Sequence, residues 1–219
     1  MNDAGTGGAC AREMPVLHDL MRTEFTALQR LVGGVDPQDA SRVTAVARHI
    51  RFMLELLHFH HSTEDDLIWP PLKERARLDV ERIERMVDQH EQIERAVSVV
   101  RSATAAWESS PGPATAAALT ERLEQFLRVL EPHLEEEERD VVPLIDQHFS
   151  AREWRQVGDE SFEKFTPAQR WIALGLLTDL QTPGSAAMLA ELPAPVKILW
   201  PLVGRRRYRR YIAPVRGTP

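Results

Sequence analysis

The sequence predicts an all-α protein, an up-down-up-down four-helix bundle over residues 11–150 followed by a helical, basic extension over residues 151–219. Apolar residues recur at helical spacing in four long segments, and short runs of Gly, Pro or Ser separate these segments. Charge marks the extension. Residues 151–219 contain 11 Lys and Arg against 6 Asp and Glu, whereas residues 1–150 contain 16 against 27.

The four segments predict helices over residues 13–31, 36–69, 79–107 and 114–148. The first ends at two glycines, and the second begins with Asp36 as N-cap and Pro37 at the first helical position. The second ends before two prolines, and the third ends at a Ser-Ser-Pro-Gly-Pro break. Pro132 and Pro143 predict kinks in the fourth helix.

The extension begins where the composition changes after residue 150. Thr166-Pro167 predicts the start of a helix over residues 168–180. Trp171, Ile172, Leu176 and Leu177 need apolar cover, so we expect the extension to pack on the bundle. An apolar and then basic segment follows over residues 196–211, interrupted at a proline.

Composition excludes several classes of protein. The single cysteine, Cys10, excludes a disulfide framework within the chain and any thiolate metal site. No apolar run is long enough for a membrane span and no signal-peptide core is present, so we expect a cytoplasmic protein with no membrane partner. The acidic body makes nucleic acid an unexpected partner, and the arginine-rich run in residues 205–210 favours a solvated helix end over a phosphate contact.

An internal repeat contains the histidines of chemical interest. His60-x-x-x-Glu64 and His133-x-x-x-Glu137 are each followed by Pro six residues after the Glu. His18 lies 42 residues before His60, and a further histidine lies 43 residues before His133. The chain therefore consists of two helix pairs, each with a lone His on its first helix and His-x-x-x-Glu on its second.

The spacing of these residues predicts a metal site. Residues four apart lie on one helix face, so each His–Glu pair can direct two donors to one place, and His90 and His18 can complete the set from the other helices. Four imidazoles and two carboxylates buried without partners would be destabilising, and a metal ion is the natural compensation. The alternative is a set of solvated side chains, which two matched copies make less plausible.

As a set, His18, His60-x-x-x-Glu64, His90 and His133-x-x-x-Glu137 resemble the hemerythrin-like (HHE cation-binding) family over about residues 11–148. The basic, Trp-containing extension resembles that of actinobacterial members. The resemblance implies a non-haem centre of two iron ions joined by an oxo or hydroxo bridge. It further implies that the four histidines are terminal ligands and that the two glutamates bridge the irons.

Two pairs in the second helix could face the metal, because His61 and Asp65 are also four residues apart. The repeat and its proline spacing favour His60 with Glu64, which would leave His58 and His61 off the metal face. His49, three turns before His60, is expected to be an ordinary core or surface histidine.

The predicted ligand set leaves two coordination positions open on six-coordinate iron. Oxygen-carrying hemerythrins, which this set resembles, have a fifth terminal His one turn after the third-helix ligand. Glu94 occupies that place here, which puts reversible oxygen storage in doubt. Glu94 could ligate the metal, could hydrogen-bond a bound ligand as a base, or could pair with a surface arginine.

The sequence thus predicts a di-iron protein that binds or turns over O2, H2O2 or NO, with modest catalase- or peroxidase-like activity. Manganese is an alternative metal for these nitrogen and oxygen donors. Two other functions stay open, a redox or iron sensor that signals through the extension and an iron–sulfur repair or iron-donor protein. Cys10 is weak support for the repair function.

Overall fold

A computed structural model describes residues 11–217, so Cys10 lies outside the described part of the chain. The described residues are almost entirely helical and contain no β-strand, which confirms the predicted all-α class. The helices, in order, are α1 Glu13–Gly33, α2 Ala40–Thr63, α3 Trp69–Arg75, α4 Val80–Ser109, α5 Pro113–Asp140, α6 Val142–His148, α7 Ala151–Glu163, α8 Pro167–Leu180, α9 Pro183–Glu191, α10 Ala194–Leu199 and α11 Arg205–Arg216.

Helices α1, α2, α4 and α5 form the bundle. Helix α1 contacts α2 and α5, and helix α4 contacts the same two, so the four helices enclose a common core. Each presents an apolar stripe to that core, as the helical spacing of its apolar residues predicts.

Two predicted helix boundaries are wrong. The second helix begins at Ala40, not at Asp36, because the carboxylate of Asp39 accepts the hydrogen bond from the backbone N–H of Arg42 and caps the helix. Pro70 and the proline after it do not end the helical path. A π-helical turn over Glu64–Ile68 leads directly into α3, where both prolines lie in the first turn and need no hydrogen-bond donor.

The fourth predicted helix is two helices. Helix α5 ends at Asp140, α6 begins at Val142, and Pro143 lies in the first turn of α6. Pro132 lies within α5 and does not end it. Proline is tolerated in a first turn because that N–H has no partner within the helix, which explains the break beside Pro143.

Apolar residues form two clusters along the bundle, and a polar layer separates them. On α1, His18 lies between Met14 of one cluster and Leu20 of the other. On α4, His90 lies between Met86 and Ile93 in the same way. The same order is found along α2 and the helical turn that follows it, with polar residues between Leu57 and Ile68, and from α5 to the residue after it, with polar residues between Leu130 and Val141. The predicted metal donors therefore lie at one level of the bundle.

The extension packs against α1 and α2. The ring of Tyr208 on α11 lies against Gly175 on α8, so closely that an added Cβ would be 2.1 Å from the ring. Further along α11, the hydroxyl of Tyr211 lies 3.0 Å from Nδ1 of His49 on α2. Arg216 donates a hydrogen bond to Glu24 on α1. The division of the chain at residue 150 stays a prediction.

Among residues 11–217 no single helix is long and apolar enough to span a membrane. Helix α9 and the segment Ala194–Arg216 together meet the length and composition criteria, but they meet at a bend of 112°.

Candidate metal centre

Seven side chains in the polar layer form two adjoining groups of possible metal donors. One group contains His61, His90 and His133, and the other contains His18, His60, Glu64 and Glu137. Within each group the donor atoms lie within 4.8 Å of one another. This spacing is close to the span of donors around one ion, roughly 4 Å for metal–nitrogen bonds of about 2.1 Å.

The two carboxylates of the second group also face imidazoles of the first. Glu64 directs Oε1 to Nε2 of His60 at 3.1 Å and Oε2 to Nε2 of His90 at 3.4 Å, and these imidazoles belong to different groups. Glu137 also faces both groups, with the single oxygen Oε2 lying 3.4 Å from Nε2 of His18 and 3.7 Å from Nε2 of His133. Each carboxylate therefore lies within 4 Å of one imidazole from each group.

Seven atoms of this layer are buried without a hydrogen-bond partner among the described residues: Nε2 of His61, His90 and His133, and both side-chain oxygens of Glu64 and Glu137. All seven donor side chains have less than a tenth of their surface exposed. Leaving a buried polar group unpaired costs about 1–3 kcal/mol, so this arrangement is unfavourable unless something binds these atoms. The donor set of imidazoles and carboxylates fits a metal ion.

Burial changes the protonation of the layer. It raises the pKa of Glu64 well above its ordinary value, reinforced by the neighbouring charge of Glu137, and it also raises the pKa of Glu137. Burial, together with neighbouring histidines, lowers the pKa of His60 and His61 and brings the pKa of His133 to about 2. Neutral imidazoles are ready to ligate, while the carboxyl groups must release protons on binding a metal.

Three of the imidazoles are oriented by a hydrogen bond at Nδ1, the ring nitrogen that points away from the other donors. Nδ1 of His18 lies 2.8 Å from the Glu138 carboxylate, which Arg22 also binds. An N–H at Nδ1 leaves the lone pair on Nε2, the atom that faces the other donors. The imidazole is thus held in the tautomer that a metal site requires.

The other two oriented imidazoles follow the same pattern. Nδ1 of His90 donates to the Asp65 carboxylate at 2.9 Å, and Nδ1 of His133 donates to the side-chain oxygen of Gln89 at 2.9 Å. Gln89 in turn donates to Glu136 at 2.8 Å, which fixes its amide orientation. Asp65, which the sequence pairs with His61, therefore holds another imidazole instead.

The structure brings together the six residues predicted as ligands, and it adds His61. The expectation that the side chain of His61 points away from the other donors is wrong. His61 is buried among them, and its ring stacks on that of His90 with 4.0 Å between centroids. The sequence signal for it was the pair of adjacent histidines, which the repeat could not interpret because Leu134 aligns with His61.

Glu94 does not reach the layer. Its side chain is 55 % exposed and lies 3.7 Å from Nδ1 of His58, which is itself half exposed. Glu94 lies one turn after His90 on α4, but its side chain faces solvent. The geometry therefore does not support a role for Glu94 as a metal ligand or as a base. His49 is a core histidine as expected, buried between Glu24 and Tyr211.

A helical bundle with a buried layer of imidazoles and carboxylates defines a class of protein that can hold metal ions between its helices. Residues 12–145 match the family model described as the hemerythrin HHE cation-binding domain. The chain therefore belongs to the hemerythrin HHE cation-binding family, whose members bind small ligands such as O2 at a non-haem metal site. No curated protein and no solved structure matches the chain.

Proposed function

We propose that the polar layer holds two iron ions and that the protein binds or turns over small oxidants, O2, H2O2 or NO. The observation that carries the proposal is the set of seven buried donor side chains, five of which have inward atoms without a hydrogen-bond partner among the described residues and whose two carboxylates each face imidazoles of both groups. Mixed nitrogen and oxygen donors suit iron better than zinc, which prefers four ligands.

The position of His61 changes the number of free coordination places. Two six-coordinate ions would need twelve bonds, and five imidazoles, two shared carboxylates and one shared oxygen would supply eleven. One place would then be left for an exogenous ligand, instead of the two that four histidines would leave. Glu94 stands where oxygen-carrying hemerythrins have their fifth histidine. With His61 as a fifth imidazole, Glu94 at that position no longer argues against reversible oxygen binding.

Bound iron supplies the redox chemistry and the place for the small ligand. The chain itself orients the imidazoles through Asp65, Gln89 and Glu138 and excludes bulk water by apolar clusters on both sides of the layer. Trp69 adds a buried indole N–H with no described partner, and its ring lies 6.0 Å from that of His90. Such a donor is available to a small ligand held beside His90.

Metal analysis combined with optical spectroscopy tests the proposal. We expect about two irons per chain, as the two donor groups imply, and an absorption band of oxo-bridged iron that changes when peroxide, O2 or NO is added. Glu137→Ala should abolish loading of the pair, whereas Glu135→Ala, an exposed carboxylate two residues earlier, should load normally. Iron-loaded protein that leaves all three oxidants untouched would refute the oxidant chemistry.

A sensor function is the second candidate, because the extension contacts the helices that contain the donors. Arg216 and Tyr211 of α11 bind Glu24 on α1 and His49 on α2, the helices of His18 and His60. A change in helix packing at the metal could therefore alter how α11 docks. Limited proteolysis of residues 151–217 with and without iron tests this function, which requires a difference between the two patterns.

A further inference from the structure

The end of the chain is strongly basic. Residues 192–219 contain seven Lys and Arg and no Asp or Glu. Five of these cations lie close together and exposed on α11, and we refer to them as the arginine cluster: Arg205, Arg206, Arg207, Arg209 and Arg210. No carboxylate among residues 11–217 lies within ion-pair distance of any of the five. The positive charge of the cluster is therefore not neutralised within the described fold.

Exposed aliphatic side chains directly precede the arginine cluster. They are Ile198 at 62 %, Leu199 at 45 %, Leu202 at 69 % and Val203 at 38 % exposure, and we call them the aliphatic strip. Ile198 and Leu202 are four residues apart, and so are Leu199 and Val203, so the four side chains form two neighbouring rows along the exposed part of the segment. Such a cluster of large exposed aliphatic residues marks an interaction surface more often than a scattered single residue does.

The fold holds this surface outward. Helix α10, a π-helical turn over Trp200–Gly204 and α11 form one continuous helical segment. Its inner side, which includes Gly204, Tyr208, Ile212 and Val215, is buried against the rest of the protein. Gly204 lies against the indole rings of two tryptophans, where an added Cβ would be 2.5 Å from the nearest ring atom. Because the inner side is fixed, the strip cannot turn inward to bury itself.

We propose that the aliphatic strip and the arginine cluster dock the protein on an anionic phospholipid membrane. The aliphatic side chains would enter the boundary between headgroups and acyl chains, and the guanidinium groups would bind lipid phosphates. A segment that combines exposed aliphatic residues with four or more clustered cations matches the requirements of such a surface. The expectation of no membrane partner rests on the lack of an apolar span, which a helix bound at the membrane surface does not need.

The charge of the rest of the protein supports one orientation on the membrane. Residues 1–150 contain eleven more acidic than basic residues, so an anionic surface repels the bundle while it attracts α11. Polyanions such as nucleic acid would satisfy the arginines but would leave the aliphatic strip in water. The membrane is the occupant that accounts for both parts of the surface.

Vesicle co-sedimentation of the full-length protein tests the proposal. We expect binding to vesicles of phosphatidylcholine mixed with phosphatidylglycerol, little binding to phosphatidylcholine alone, and weaker binding at high salt. Arg206→Gln combined with Arg210→Gln should weaken binding roughly 25-fold, because each arginine near the surface contributes about five-fold, or about 1 kcal/mol. Removal of two exposed arginines from the bundle, Arg95→Gln with Arg128→Gln, is the matched control and should change binding little.

The aliphatic strip needs its own variant. Leu202→Ser should weaken vesicle binding about tenfold, whereas Leu78→Ser, at a fully exposed leucine in the turn between α3 and α4, should not. Circular dichroism of each variant checks that the helices are retained. Three results would overturn the proposal: no binding to anionic vesicles, equal binding by Leu202→Ser, or binding to duplex DNA or to a second copy of the chain in place of vesicles.

Discussion

Replacing His61 with Ala tests whether its imidazole is a metal ligand. His61 belongs to the group of three imidazoles, and with His90 and His133 it provides every nitrogen of that group. Its loss leaves that group with two imidazoles and the two carboxylates that it shares with His18 and His60, so an ion there would lose one of its five protein ligands. We therefore expect that ion to bind more weakly, so that at free iron concentrations that just load both positions of the wild-type protein His61→Ala should hold about one iron per chain in place of about two.

The thermal stability of the protein should report the same loss. An ion that binds only the folded state stabilises it by about 2.7 kcal/mol when its free concentration is a hundred times the dissociation constant. The unfolding entropy of a chain of 219 residues, at about 2.1 cal/mol/K per residue, is roughly 0.46 kcal/mol/K. Each ion should then raise Tm by about 6 °C, so the wild-type protein should gain about 12 °C and His61→Ala about half of that.

The measurement is the difference in Tm between iron-loaded and iron-free protein, recorded by calorimetry together with metal analysis of the same samples. Using this difference removes the effect of the cavity that the smaller side chain leaves in both states. His58→Ala is the matched control, because His58 lies on the same helix but is half exposed. If His61→Ala keeps both irons and the full rise in Tm, His61 is not a ligand and the three-imidazole group is wrong.

Two further predictions follow from contacts outside the donor set. Gln89→Leu removes the acceptor for Nδ1 of His133, so iron affinity should fall about 10–100-fold in a chelator competition while the fold is retained. Gly175→Ala would force a Cβ into the ring of Tyr208 and should lower the free energy of unfolding by about 1–3 kcal/mol, measured by urea denaturation. Gly158→Ala, where no atom lies within 4 Å of the added Cβ, should instead stabilise helix α7 by up to about 1 kcal/mol; the reverse order of the two variants would contradict the packing of α11.

The bundle and six of its donors could be predicted because their signal is periodic. Helical spacing of apolar residues predicts four helices, and a repeat of His-x-x-x-Glu with an upstream His predicts one level at which polar residues interrupt the core. The two apolar clusters on either side of that level are the structural counterpart of the pattern.

His61 could not be predicted in the same way because it has no counterpart in the repeat. Adjacent residues on a helix point about 100° apart, so one helix face cannot include both His60 and His61. The structure resolves this because the two histidines serve different groups of donors, His60 with His18 and His61 with His90. A rule that requires all donors of one helix to share one face therefore fails where two groups of donors lie side by side.

Contacts between segments that are far apart along the chain could not be predicted from the sequence either. Tyr211 lies 162 residues from His49, and no local pattern pairs a tyrosine at the end of the chain with a histidine in the bundle. The π-helical turn over Glu64–Ile68 is also invisible in the spacing, although it follows immediately after the ligand helix and turns Asp65 toward His90.

The position of the donor layer links metal binding to the stability of the whole bundle. Each of the four bundle helices has donors between one apolar cluster and the other, so without a metal the two clusters are separated by buried groups that lack partners. Bound ions would join all four helices at that level and satisfy those groups together. The extension binds Glu24 and His49 on two of the same helices, so ion binding that shifted these helices would also change the contacts of α11. Under the proposed function, iron occupancy would then alter how the chain presents its aliphatic strip and arginine cluster.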